Sequence, residues 1–216
     1  MASPRRDGVD RRQRILDAAL RCFTRHGVLA TGIEEIRLEA KASPSSIYHH
    51  FGGLAGITRD LLVRTFERLF AHLVAGVTAT TTAERAVRAL VAAHVDWVLA
   101  HRVEARFMYQ AMSLELGSEI QGPLQARKAE LGAPIVAHVA PFITVGALPR
   151  WSPLHFEIVL LGPAHEACRR FLAGVPLAER WLRETLPDIA WRSIKPASKS
   201  RSVSVAARRK PRRGST

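Results

Sequence analysis

Apolar residues recur at helical spacing along almost the whole chain. Ile15, Leu16, Ala19, Leu20 and Phe23 fall on one face of a helix that Asp10 can cap and Gly27 can stop. After Thr31, a short helix carries Ile33, Ile36 and Ala40. Ser43 followed by Pro44 is an N-cap and first-turn pair that opens a second short helix through Ile47 to about His50, and Gly52-Gly53 breaks it. A long amphipathic segment follows from about Leu54 to Val77, with Ile57, Leu61, Leu62, Phe66, Leu69, Phe70, Leu73 and Val77 on one side.

The second half continues the pattern. Thr81 and Glu84 have capping-box spacing ahead of a helix running to about His101, and a further helix spans about Val103 to Leu116. A segment from about Pro123 to Ala147 contains Pro134 and Pro141, which are expected to kink or split it. Ser152-Pro153 opens a helix to about Leu172; Gly174 and Pro176 separate it from a last helix, about Leu177 to Ile194, with a break expected at Pro187. No sustained period-2 run, no Asn-Gly or Asp-Gly hairpin turn and no fixed-period repeat interrupts this. The expected fold class is all-α, with about eight to ten helices.

Composition changes the picture at the ends. Of 216 residues 47% are apolar, which supplies a sizeable core and excludes wholesale disorder. The length suits a small domain joined to a larger one. No apolar run approaches the roughly 20 residues that span a bilayer, and the Arg-rich N-terminus has no apolar stretch behind it, so a cytoplasmic protein with no membrane partner is expected. The two cysteines, Cys22 and Cys168, cannot form a disulfide framework or a four-cysteine zinc site, and each reads as a small buried hydrophobe. The net charge is +13, yet residues 192–216 alone hold nine Lys and Arg and no acid; without them the balance is 23 basic against 19 acidic. Residues 195–216 therefore read as a disordered basic tail and 1–9 as a disordered basic arm. A basic surplus at both ends points to a polyanion, nucleic acid ahead of membrane; solvated ends that aid solubility are the other reading.

The segment Thr31–Phe51 has the form of a helix-turn-helix, whose second helix can enter a major groove. Ile33, Ile36, Ala40 and Ile47 would pack the pair onto the first helix, leaving Ser43, Ser45, Ser46, Tyr48, His49 and His50 on the outer face. The string Gly27-x-x-x-Thr31-Gly-Ile33-x-x-Ile36, then Ala40-Lys-Ala-Ser43-Pro-Ser-Ser-Ile47-Tyr48-His49-His50-Phe51, resembles the TetR family of bacterial transcriptional regulators. The resemblance covers about residues 10–60. It implies a three-helix DNA-binding domain at 10–53 and a larger helical ligand-binding and dimerisation domain at 54–194. It also implies a homodimer on a near-palindromic double-stranded operator, and a small-molecule effector that weakens binding.

By that resemblance Thr31 would cap the second helix and donate to a phosphate, and Ser43 would cap the recognition helix beside the backbone. Ser45 and Ser46 would touch bases or phosphates, Tyr48 the backbone and His49 base edges. Tyr48 also reads as a packing residue with its hydroxyl in water. The sequence departs from the family pattern at several points. Lys41 replaces the usual turn glycine, which strains a left-handed backbone while offering a phosphate contact. Arg37 stands where a small residue is common and needs a path to solvent. Gly32 replaces a hydroxyl residue, and Phe51-Gly-Gly-Leu54-Ala55 lacks the Lys-Glu pair that usually opens the fourth helix.

The resemblance places the effector among the helices at about 81–147, where His94, Trp97, Phe107, Met108, Tyr109, Gln110 and Met112 cluster in the sequence. Such residues at helical spacing also read as plain core. As a ligand site they suit an apolar or aromatic molecule with one or two polar groups, oriented by His94 and Gln110. The dimer is expected through 152–172 and 177–192, with Ile158, Val159, Leu160, Leu161, Phe171, Leu172, Trp181 and Leu182. No GxSxG, phosphate-cradling glycine loop, HExxH or CxxC occurs. The scattered histidines have no metal-ligand spacing, so no enzyme, metal or cofactor is expected. The resulting expectation is a bacterial, nucleoid-associated regulator that represses transcription. A nonspecific nucleoid-type DNA-binding protein is the alternative suggested by the tail.

Overall fold

The computed structural model describes residues 4–114 and 118–195; among them are ten α-helices, one π-helical turn and no strand. Helix α1 (Pro4–His26) begins within the segment expected as an arm, not at Asp10. Proline suits a first helical turn, where its missing N–H has no partner to lose. Gly27, at φ +84, ends the helix as expected. Helix α2 (Ile33–Ala40) is preceded by Gly32, not Thr31, at its N-cap. Thr31 is buried, and its hydroxyl donates to the Gly27 carbonyl at 2.8 Å, so it closes the α1–α2 turn instead of capping α2. Helix α3 (Pro44–Phe51) is capped by Ser43, whose Oγ accepts from the Ser46 N–H at 3.2 Å.

These helices enclose Ile15, Leu16, Phe23, Ile36, Ile47 and Phe51, all nearly or fully buried. Helix α4 (Leu54–Thr78) starts in this core, with Ile57 and Leu61, and continues into the larger domain. A Cβ at Gly56 would overlap the Phe51 carbonyl oxygen, so the start of α4 lies directly on the end of α3. Arg12 pairs with Asp60 and Arg64 with Asp17, each at 2.7 Å, across α1 and α4. Both pairs are partly exposed, so each contributes at most about 1 kcal/mol, and apolar burial dominates.

The larger domain comprises α5 (Ala83–Ala100), α6 (Arg102–Met112), α7 (Ser118–Thr144), α8 (Pro153–Phe156), a π turn (Glu157–Leu161), α9 (Gly162–Leu172) and α10 (Glu179–Ile194). Thr82, not Thr81, caps α5, accepting from the Arg85 N–H. Helix α7 packs along α4 and α10 along α5. Pro134 and Pro141 lie inside a continuous α7, and Pro187 inside a continuous α10, so neither helix is split there. Each proline forfeits one helical hydrogen bond, but packing against a neighbour holds the rod. Residues 153–172 also form one rod. Pro163 has no N–H to offer the Val159 carbonyl, and the turn before it widens to π.

One continuous apolar core joins the two domains. Phe23 of α1 and Phe107 of α6 stack across the junction, with ring centroids 5.3 Å apart and planes 8° from parallel.

Candidate functional site

The turn between α2 and α3 is built around Lys41, whose backbone is left-handed at φ 50, ψ 42. It donates to the Leu38 carbonyl at 3.1 Å, and the Ala42 N–H closes on Arg37 at 3.0 Å. Lys41 thus takes the conformation expected of a glycine, at a cost of about 1 kcal/mol. Arg37 finds its path outward by pairing with Glu34 at 2.8 Å and reaching the Ala42 carbonyl at 3.3 Å.

Ser43, Ser45, Tyr48 and His49 are exposed on α3, Tyr48 by 60%. The Ser43 and Ser45 hydroxyls lie 3.0 Å apart. Ser46, expected among the contacts, is buried, and its hydroxyl has no partner among the described residues. Thr31 is buried too, its hydroxyl committed to Gly27. Neither side chain is presented on the outer face.

Sequence reasoning missed the contribution of α1. Arg11 and Arg14, with Lys41 and Ser43, line a concavity of about 320 Å³ beside the turn. The signal available was their i, i+3 spacing, which places two cations on one helix face. Arg12 instead lies over the Phe51 ring, 5.6 Å from its centroid, and ties α3 to α4. Burial, then the neighbouring His49, Arg11 and Arg12 charges, lower the pKa of His50.

In the larger domain a cavity of about 650 Å³ lies between α4, α5, α6, α7 and the α8–α9 rod. It lies within the size range of small-molecule sites. Its walls are apolar, with Phe66, Leu69 and Phe70 from α4 and Ile135 and Val139 from α7. Of the residues singled out from the sequence, His94, Met108 and Met112 line it. The other four, Tyr109 among them, do not. Trp97 is buried and stacks on His101 at 5.0 Å, Phe107 packs on Phe23, and Gln110 is exposed on α6.

The polar end of the cavity was only partly foreseen. His94 is fully buried; its Nε2 lies 3.0 Å from the Tyr109 hydroxyl, and Nδ1 has no partner among the described residues. His165 sits beside it, ring centroids 4.6 Å apart. Burial, and then His165, hold the pKa of His94 well below the ordinary histidine value. Burial likewise lowers His165, with Glu157 opposing and Lys128 adding to the effect. Behind them burial keeps the Tyr109 hydroxyl protonated and pushes the Cys168 thiol up to about 12. Lys128 and Glu157, also lining residues, pair at 2.8 Å. These groups come from different helices far apart in the chain, so no local pattern announces them.

Among the described residues no group of three metal-ligating side chains comes together, and no helix is long and apolar enough to cross a membrane.

Residues 15–66 match the family described as bacterial regulatory proteins, tetR family. No curated protein matches the chain by sequence. Among solved structures, a TetR-family transcription regulator from Marinobacter aquaeolei VT8 superposes with a TM-score of 0.69 at 16% identity, over 88% of this chain and 98% of its own. A putative tetR-family regulator from Shewanella sp. PV-4 gives 0.70 at 18% identity, over 86% and 98%. The fatty acid degradation regulator FadR from Bacillus halodurans gives 0.63 at 14%, over 82% and 95%. Residues 15–66, which hold the helix-turn-helix, thus carry the DNA-binding segment of the tetR family, and the chain as a whole has the fold of these solved regulators.

Proposed function

We propose that this protein is a ligand-controlled transcriptional repressor that binds a near-palindromic operator as a homodimer and is released by an apolar or aromatic small molecule. The observation that carries the reading is the pairing of an exposed recognition helix with an apolar cavity in a second domain that shares its core.

On DNA, Tyr48, His49 and Ser45 read or brace the major groove, while Ser43, Lys41, Arg11 and Arg14 meet phosphates. Lys41 and the α1 arginines supply the positive charge that the family's lysine at the start of α4 would otherwise give. Thr31 and Ser46, turned inward, support the fold of the domain. The basic tail adds sequence-independent affinity; apart from Lys195 it lies outside the described residues. The place of action is the bacterial cytoplasm, on the nucleoid, and no catalytic role is assigned.

The dimer forms through α8–α9 and α10. Support comes from Leu154, Ile158, Trp181 and Ile189, large apolar side chains exposed on these elements. Leu160, Leu161, Leu172 and Leu182 of the same segments are buried within the subunit, and Val159 and Phe171 partly so. An isologous four-helix contact covers the exposed set.

The effector site is the cavity at His94, Met108 and Met112, with Trp97, Phe107 and Gln110 outside it. Ligand binding reaches DNA through α4 and through the Phe107–Phe23 stack, provided that the ligand favours one spacing of the two recognition helices over the other.

A genome-wide footprint of the full chain tests the reading: a defined near-palindrome, lost on Tyr48→Ala, supports it. A salt-dependent background without a preferred site would instead establish the nonspecific nucleoid-type protein.

A further inference from the structure

We propose that the cavity selects an uncharged lipophilic ligand whose oxygen-bearing head group, a hydroxyl or carbonyl, binds His94 Nδ1. This rests on the reading of the cavity as the effector site and specifies the ligand's charge.

Three observations converge on it. The first is the unpartnered nitrogen. His94 is among the residues that line the cavity, and its Nε2 is engaged by Tyr109, which is not. Nδ1 is fully buried without a partner among the described residues. Leaving such a group unpaired is costly, and a ligand atom that meets it recovers that cost. The Tyr109 hydroxyl can donate to Nε2 or accept from it, so Nδ1 can present either an N–H or a lone pair. A carbonyl suits the first tautomer and a hydroxyl suits either.

The second is the charge balance. Lys128 and Glu157 are the fixed charges among the described lining residues, and they neutralise one another at 2.8 Å. The Lys128 side chain is only 12% exposed, and its ammonium lies 5.5 Å from the Phe66 ring centroid. The cation that a carboxylate head would need is therefore already engaged from two sides. The anion that an amine would need is engaged as well.

The third is the pair of histidines. Both rings are neutral in this environment, for the burial reasons given above. Neither supplies a charge for an ionic head group. A charged head entering the cavity leaves water for a site with no free counter-charge, which is strongly unfavourable.

A matched ten-carbon series tests this on the full-length protein, by displacement of the neutral dye Nile red: 1-decanol, decanoate and decylamine. Decanol is expected to bind roughly a hundredfold more tightly than either charged analogue. His94→Phe should weaken decanol roughly three- to tenfold and leave decanoate unchanged. Glu157→Gln releases Lys128 from its partner, and decanoate should then gain about tenfold while decanol stays the same. Decanoate binding as tightly as decanol to the natural chain would overturn the proposal, as would an unaltered preference in Glu157→Gln; the effector reading would survive both results. If neither the dye nor any member of the series bound, the effector reading and this inference would fall together.

Discussion

The stack of Phe23 on Phe107 joins the helix-turn-helix domain to the larger domain, and its energy can be isolated. Both rings are 2% exposed, so trimming either to Leu removes buried carbon and the ring–ring contact together. At about 0.8 kcal/mol per buried CH2, each single substitution costs roughly 2 kcal/mol. A stacked aromatic pair contributes about 0.5–1.5 kcal/mol beyond its buried area. The singles each lose that contribution, whereas the double variant loses it only once. Phe23→Leu/Phe107→Leu should therefore cost about 1 kcal/mol less than the sum of the singles. Urea unfolding followed by circular dichroism supplies the four free energies. Tryptophan fluorescence adds a domain-specific signal, because Trp97, Trp151, Trp181 and Trp191 all lie in the larger domain. Coincidence of the two signals in each of the four variants shows the single transition that these free energies require. Additivity within about 0.3–0.5 kcal/mol would refute a specific coupling through the rings.

Lys41→Gly should stabilise the fold by about 1 kcal/mol by relieving the left-handed backbone, yet weaken DNA binding and flatten its salt slope by about 0.9; an unchanged slope would show that Lys41 touches no phosphate. Ser43→Ala should cost about 1 kcal/mol as a lost cap, while Ser46→Ala should leave operator affinity intact, because its hydroxyl is buried and unpaired among the described residues. A fall in operator affinity for Ser46→Ala, measured by fluorescence anisotropy, would return Ser46 to the contact surface. The folded-state pKa values of His94 and His165 lie below the unfolded value near 6.5, so the unfolded chain binds more protons in acid. Stability should be full above about pH 6.5 and fall below it by up to about 1.4 kcal/mol per pH unit for each histidine, and His94→Gln should flatten a profile of urea midpoints between pH 7.5 and 5.

Short-range chemistry was the most legible part of the sequence. Ser43-Pro44 announces α3, and Ser152-Pro153 announces α8, because a cap and a fixed φ act within one turn. The helices do not split at Pro134, Pro141 and Pro187 because packing of α7 on α4 and α10 on α5 outweighs a local penalty that sequence can register but not weigh. Periodicity likewise marked α6 as amphipathic without fixing its rotation. Successive residues on a helix point about 100° apart, so Met108 faces the cavity while Phe107 faces Phe23. The polar end brings together His94, Lys128, Glu157 and His165 from helices whose proximity is a tertiary fact. The inward turn of Ser46 is similarly decided by how α3 lies on the core, not by its neighbours in the chain.

The glycine at position 56 has a mechanical consequence. With no Cβ there, α4 and the end of α3 are in van der Waals contact and have no slack between them. Helix α4 is 25 residues long, about 37 Å at 1.5 Å per residue, and its far half forms one wall of the cavity. It is a lever arm whose long end bears on the recognition helix. A tilt of about 5° about its distal end would sweep Gly56 by roughly 3 Å over that length. In a symmetric pair the two sweeps would add or cancel according to direction, changing the separation of the recognition helices by up to about 6 Å, a sizeable fraction of the roughly 34 Å period of the duplex. A ligand that shifts the cavity wall by only an ångström would thus be geared up at the DNA.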